Sequence, residues 1–219
     1  VYQDLAKINL AVEQDRLREE PVLKEAFAYA KAASKPVHFL GLLSDGGVHS
    51  HINHLKGLIS AAESFGVPQS FVHAFTDGRD VDPHSGKGFI ADLNAFCSDK
   101  PCKLASVIGR YYAMDRDQRW ERTELAWRAL MLGKGQHAMS AETAIRAAYA
   151  AGDSDEFIRP ILLPAFQKLT AEDIIVSFNF RKDRPRQIAA ARGADNFKGF
   201  DRGEVPLPKV VCMMPYYRC

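Results

Sequence analysis

Short apolar runs at residues 37–43, 71–75, 104–108, 174–178 and 210–214 alternate with longer stretches of helical periodicity, and this alternation limits the fold more than any other feature. An apolar run without polar alternation suits a strand buried on both faces. Between the runs, Ile52, Leu55, Ile59 and Ala62 share one helical face, as do Phe89, Leu93, Phe96 and Cys97, then Trp120, Trp127, Leu130 and Met131. Ser140 is placed to cap a further helix ending near Gly152, and Pro185 can open another. Such repeats predict an α/β fold: a mostly parallel sheet with helices on both faces, in three αβα layers. Ahead of it, Leu5, Ile8, Leu23, Phe27 and Ala30 recur at helical spacing, broken at Glu20-Pro21, where proline opens a second helix. A helical lead-in is therefore expected over residues 1–34 and an α/β domain over 35–219.

The balance of 29 basic and 27 acidic side chains leaves a formal charge of +2, too even for a chain whose main task is to neutralise a nucleic-acid backbone. Any positive site must be local. Cys97, Cys102, Cys212 and Cys219 form no Cys-x-x-Cys pair and no dense disulfide framework, which suits a reducing compartment. No apolar run approaches the ~20 residues of a membrane span, and the N-terminus lacks the regions of a signal peptide. A soluble, cytoplasmic protein is expected. The chain begins at Val1 and stops at Cys219, just past an apolar run, as a piece of a longer polypeptide would.

In open α/β sheets ligands bind beyond the carboxyl ends of the strands. Here those ends read Ser44-Asp45-Gly46-Gly47-Val48-His49-Ser50-His51, Thr76-Asp77-Gly78-Arg79-Asp80, Gly109-Arg110-Tyr111-Tyr112-Ala113-Met114-Asp115-Arg116-Asp117 and Asn179-Phe180-Arg181-Lys182-Asp183-Arg184. Arg79, Arg110, Arg116, Arg181 and Arg184 can converge on one pocket, where guanidinium forks would bind phosphate or carboxylate oxygens in pairs. A small polyanion is the natural ligand. Any one of these arginines taken alone reads as well as a surface ion pair with Asp77, Asp80, Asp115, Asp117 or Asp183; the placement of the whole set favours the pocket.

Other patterns carry less. The His49, His51 and His54 cluster lacks downstream ligands for zinc, which leaves a substrate contact for His49 and capping or surface roles for the other two. Asp77, Asp80 and Asp82 are out of register for a calcium loop, and Gly86-Lys87-Gly88 lacks the rest of a phosphate-binding P-loop. Tyr111 and Tyr112 read as packing, and Arg119, Arg122, Arg128 and Arg146 as solvated helix faces.

The four strand-end motifs resemble, in order and spacing, those of the cofactor-independent (2,3-bisphosphoglycerate-independent) phosphoglycerate mutases; the opening Val1-Tyr2-Gln3-Asp4-Leu5 is similar to the stretch that follows the nucleophile region in that family. The resemblance covers essentially the whole chain and implies the substrate-binding insert of a two-domain isomerase of glycolysis. It implies His49, Arg79, Asp80, Arg110, Arg116, Arg181 and Arg184 as substrate-binding residues, with Asp80 as general acid and base. The family's other domain is alkaline-phosphatase-like and holds two divalent metals, usually manganese (Mn2+), and a nucleophilic serine. It moves a phosphoryl group between 3-phosphoglycerate and 2-phosphoglycerate through a phosphoserine. No Asp-Gly-Trp-Gly, Asn-Ser-Glu or late Asp/His metal cluster is present, so the chain alone is expected to bind without turnover, with no metal of its own. Lys182 stands where the family often has proline, and Pro185 where alanine is usual. A self-contained binding module for a phosphorylated metabolite is the alternative reading, and a nucleic-acid binder the third.

Overall fold

A computed structural model describes residues 2–193, 197–205 and 208–214. In chain order its elements are α1 (Tyr2–Glu13), α2 (Pro21–Ala32), β1 (Val37–Leu42), α3 (Ile52–Phe65), β2 (Ser70–Thr76), α4 (Gly86–Phe96), β3 (Cys102–Gly109), α5 (Arg110–Ala113), α6 (Trp120–Leu132), β4 (Gln136–His137), α7 (Ala141–Ala150), β5 (Ile161–Leu162), β6 (Ile174–Ser177), α8 (Pro185–Gly193) and β7 (Lys209–Cys212). Each apolar run supplies a strand. Neither β4 nor β5 has a sequence signal, because two residues are too few to show a period. Helix ends follow the expected chemistry. Pro21 sits at the start of α2, the Ser140 hydroxyl accepts from the Thr143 N–H at 3.4 Å, and Gly66 closes α3 in the left-handed conformation.

The strands form one sheet in the order β4-β5-β3-β2-β1-β6-β7. All neighbours are parallel except β5, which runs against β3. Side chains alternate across it. Val37, Phe39, Val72 and Val107 meet α2, α3, α4 and α7 through Phe27, Leu55, Leu93 and Ile145. Leu40, Leu42, Phe75 and Ile108 meet α6 and α8 through Trp127, Leu130 and Ile188. The lead-in helices belong to the first of these layers, since Leu17, Leu23, Ala26 and Ala30 share its core. Among the described residues no helix is long and apolar enough to cross a membrane.

This order decides where a ligand can sit. The chain steps outward from β1 to β3 and later returns to place β6 on the other side of β1, so the strand order reverses between β1 and β6. The loops leaving those two strands separate there and open a crevice at the carboxyl edge.

Candidate functional site

Asp77, the first residue past β2, organises the crevice. Its Oδ1 accepts from the backbone N–H groups of Arg79 (3.2 Å) and Asp80 (3.0 Å) and from Arg110 Nη1 (2.6 Å), and its Oδ2 accepts from the Ser44 hydroxyl (2.7 Å). One buried carboxylate thus ties together the tails of β1, β2 and β3. Burial pushes this carboxyl up, but the Asp80 N–H, Ser44 and Arg110 outweigh it and hold it below the usual range. The turn needs Gly78, which has φ +64°, and any Cβ there would lie 2.9 Å from that of Asp155.

Gly109 is needed for a similar reason. A Cβ there would come within 2.4 Å of the Glu156 carbonyl oxygen, so only glycine lets the end of β3 run beside residues 156–158, where its N–H donates to the Ile158 carbonyl at 2.7 Å. Asp155 anchors the segment from below: its carboxylate accepts from the Gly86 N–H (2.7 Å) and the Tyr149 hydroxyl (2.5 Å), and its carbonyl from Thr76 Oγ1 (2.7 Å). Glu156 and Phe157 are thereby delivered to the wall of a cavity.

That cavity, of about 300 Å³, is lined by Arg79, Arg110, Arg116 and Arg184 from three strand tails, and by Tyr111, Arg122, Glu156 and Phe157. Arg110 is 1% exposed, and its Nη1 also donates to Asp80 Oδ2 at 2.6 Å. Burial works against its charge, yet the Asp80 and Asp77 carboxylates prevail and keep it protonated. Arg184 differs: its Nη1 donates to the Met114 carbonyl (3.2 Å), while its buried Nε and that of Arg110 have no hydrogen-bond partner. Burial, and then the like charges of Arg110, Arg116 and Arg79, push its proton affinity down. Five arginines, with Arg122, thus face one small space whose wall also carries the acids Asp115, Asp117 and Glu156.

His49 sits behind Arg110, 3% exposed, with Nε2 3.7 Å from Asp80 and Nδ1 3.6 Å from Asp183. Its carbonyl accepts from the Phe180 N–H (2.8 Å), joining the tails of β1 and β6 across the crevice. Burial first, and Arg110 second, push the imidazole down to about 4 against the pull of the two carboxylates, so it is neutral at pH 7. Asp183 accepts from Arg116 Nη1 (3.1 Å) and lies 3.2 Å from Arg181 Nε. Burial raises it, and His49, Arg181 and Arg116 together leave it lowered.

Of the residues expected from the sequence, Arg79, Arg110, Arg116 and Arg184 line one cavity. Asp80 and His49 adjoin it through Arg110, and Arg181 turns towards Asp183 outside the lining. Part of the ion-pair reading is realised as well: Arg110 pairs with Asp77 and Asp80, and Arg116 and Arg181 with Asp183, whereas Arg79 lies 3.5 Å from Glu156, an acid outside the expected set. His51 caps α3 by accepting from the Asn53 N–H. His54, expected at a cap or the surface, is instead buried and lies 2.6 Å from Asn9 of α1, because α1 covers the start of α3. Arg122, expected on a solvated helix face, instead lines the cavity because its guanidinium stacks on Tyr111, and Asp77 and Asp183 do not stand out in the sequence from ordinary charged residues. For Asp77 the signal was its place, directly after a buried strand and before glycine. For Arg122 it was the first turn of a helix that follows a strand tail.

Residues 8–218 match the family model described as BPG-independent PGAM N-terminus. The chain belongs to this family. Its relatives include the 2,3-bisphosphoglycerate-independent phosphoglycerate mutases of Flavobacterium psychrophilum, 53% identical over 202 residues (90% of this chain, 40% of the relative), and of Parabacteroides distasonis, 43% identical over 220 residues (99% and 43%). A structure of Leishmania mexicana phosphoglycerate mutase at low cobalt concentration superposes with a TM-score of 0.90 at 29% identity, over 97% of this chain and 41% of that one. This member of the BPG-independent PGAM family thus spans about 40% of the length of the curated relatives it matches. Among its described residues no group of three or more His, Cys, Asp or Glu side chains is placed to hold a metal ion. The described side chains therefore do not make the two-metal centre that the family resemblance implies.

Proposed function

We propose that this chain is the substrate-binding part of a cofactor-independent phosphoglycerate mutase, a cytoplasmic isomerase that interconverts 3-phosphoglycerate and 2-phosphoglycerate in glycolysis. The observation that carries this reading is the convergence of Arg79, Arg110, Arg116 and Arg184 on one small cavity. A phosphate and a carboxylate on three carbons supply the opposite charge in a space at the small end for ligand sites.

In this reading Arg79, Arg116 and Arg184 grip the anionic groups, and Arg110 supports them from below. Asp80, its Oδ2 fixed by Arg110, gives a proton to the glycerate oxygen released when the phosphoryl group passes to the serine and takes one back from the hydroxyl that then attacks the phosphoserine. Neutral His49 touches the substrate beside it, and Arg181 acts through Asp183. The phosphoserine and two divalent metals, manganese in character, belong to an alkaline-phosphatase-like domain of the same polypeptide. Residues 1–34 lead in from the junction between the two parts, and residues 35–219 form the binding domain. Closing one over the other would keep water from the phosphoserine.

Titration calorimetry with 3-phosphoglycerate tests the reading on this chain and its Arg116→Ala and Arg184→Ala variants. Saturable binding that both variants weaken supports it. Equal heats in all three would sink it. Mutase activity on adding the remaining polypeptide would in turn exclude a free-standing binding module.

A further inference from the structure

Arg122 is the cation in the cavity wall that no strand tail supplies. It stands in the first turn of α6, 20% exposed, and lines the same space as Arg116 and Arg184. Its guanidinium carbon lies 3.8 Å from the centre of the Tyr111 ring, which is braced in turn by Phe157, with centroids 5.0 Å apart. The nearest acid, Asp115, is 3.7 Å away, beyond hydrogen-bond reach. That distance is to Asp115 Oδ1, a loose ion pair; the hydrogen bonds Asp115 accepts, from the Asp117 and Arg119 N–H groups and from Gln187 Nε2 at 3.1, 2.9 and 3.0 Å, fall on Oδ2 and fix the carboxylate in place. Among the described residues the Arg122 guanidinium donates no hydrogen bond to the protein.

Stacking on an aromatic ring uses the face of a guanidinium and leaves its edge free, so plane and direction are set before any ligand arrives. We propose that Arg122 is a further anion-binding residue of this cavity, its N–H edge oriented by Tyr111 to donate to the phosphate or carboxylate of the bound metabolite. A lysine would supply the charge without the fixed edge. The inference rests on the proposed function, because it takes the ligand to be a phosphorylated acid.

The test is calorimetry with 3-phosphoglycerate, and with inorganic phosphate in parallel, on Arg122→Gln, Arg122→Lys, Tyr111→Leu and Tyr111→Phe, with thermal unfolding of each. Arg122→Gln is expected to weaken 3-phosphoglycerate binding roughly 10-fold, the scale of one charge-assisted hydrogen bond. Tyr111→Leu should lose a few-fold and Tyr111→Phe almost nothing, because the ring is what matters. Arg122→Lys should fall between the wild type and Arg122→Gln, and unfolding midpoints should stay close together. A loss shared with inorganic phosphate would assign Arg122 to the phosphate; a loss with 3-phosphoglycerate alone would assign it to the carboxylate. Wild-type affinity in Arg122→Gln, while Arg184→Ala still weakens binding, would overturn the inference and leave the proposed function standing. A fall in affinity that merely tracks a fall in the unfolding midpoint, with Tyr111→Leu unaffected, would overturn it in favour of a structural role. If no variant, Arg184→Ala included, changes binding, the proposed function itself fails.

Discussion

Arg110 and Arg184 line the same cavity but are partnered in opposite ways. Arg110 is enclosed between two carboxylates at 2.6 Å, whereas Arg184 has one carbonyl contact at 3.2 Å and three cations near it. The first arginine is engaged by the fold, and the proposed function assigns the second to the ligand. The difference arises from their places, since Arg110 follows β3 directly above the buried Asp77, while Arg184 precedes α8 at the outer lip of the crevice. A cluster of like-charged side chains is therefore not uniform: one member builds the site and others use it.

The strongest way to break this contrast is Arg110→Ala. It would leave the buried Asp77 without its cation, still hydrogen-bonded to the Arg79 and Asp80 N–H groups and Ser44, a defect that costs up to about 3–5 kcal/mol, and the denaturant midpoint should fall accordingly. Arg184→Ala should leave that midpoint unchanged or raise it, because it removes a repelled charge. If Arg110→Ala were no less stable than Arg184→Ala, the division between builder and user would be wrong.

A second contrast sets His49 against His38. His38 Nδ1 is 3.0 Å from His73, whose other ring nitrogen is 2.8 Å from the Ser106 hydroxyl, all fully buried in the central strands, with Asp173 3.8 Å from His38. Burial pushes His38 down to about 4, against a smaller pull from Asp173, and burial with Arg110 does the same to His49. Both rings are neutral in the fold and titrate near 6.5 once unfolded, so the unfolded chain binds more protons between those values. Stability from these groups is complete above about pH 6.5 and is lost as pH falls to about 4, on the order of 3 kcal/mol for His38 at about 1.4 kcal/mol per pH unit. The lowered Asp77 and Asp183 act in the same sense but in a more acidic window, and Asp155, raised by burial, opposes them. Unfolding free energy measured from pH 4 to 7 should rise with pH, and His38→Gln should flatten that slope. Phosphate in the cavity should raise the His49 titration by offsetting Arg110 and leave His38 where it was; equal movement of both in imidazole NMR would show that the sheet histidine senses the site.

The fold was largely legible because each central strand is buried on both faces and so carries its signal in consecutive residues, as 37–43 does around β1. The edge escaped, because β4 and β5 are held by their neighbours and not by a pattern of their own. At the site, local sequence marked which arginines stand on the binding edge. Which acid each would take depends on distances across the sheet, as when Asp77 of one tail meets Arg110 of the next, 33 positions on. His54 shows the same limit, since its burial depends on α1, whose Asn9 lies 45 residues away in the chain.

Among the ligand-facing arginines, Arg184→Ala should weaken 3-phosphoglycerate binding by roughly 10- to 100-fold, the range of charge-assisted hydrogen bonds. Arg181→Ala should have the smallest effect. Its guanidinium is 39% exposed and meets Asp183 at 3.2 Å outside the cavity lining, and an exposed pair of this kind contributes less than ~1 kcal/mol to stability. Asp183 keeps the hydrogen bond from Arg116 at 3.1 Å, so the carboxylate beside His49 stays in place, and affinity for 3-phosphoglycerate should fall by no more than a few-fold. A loss as large as that of Arg184→Ala would mean that Arg181 swings from Asp183 into the cavity when ligand arrives, and that an arginine paired with a carboxylate here becomes a gripping residue.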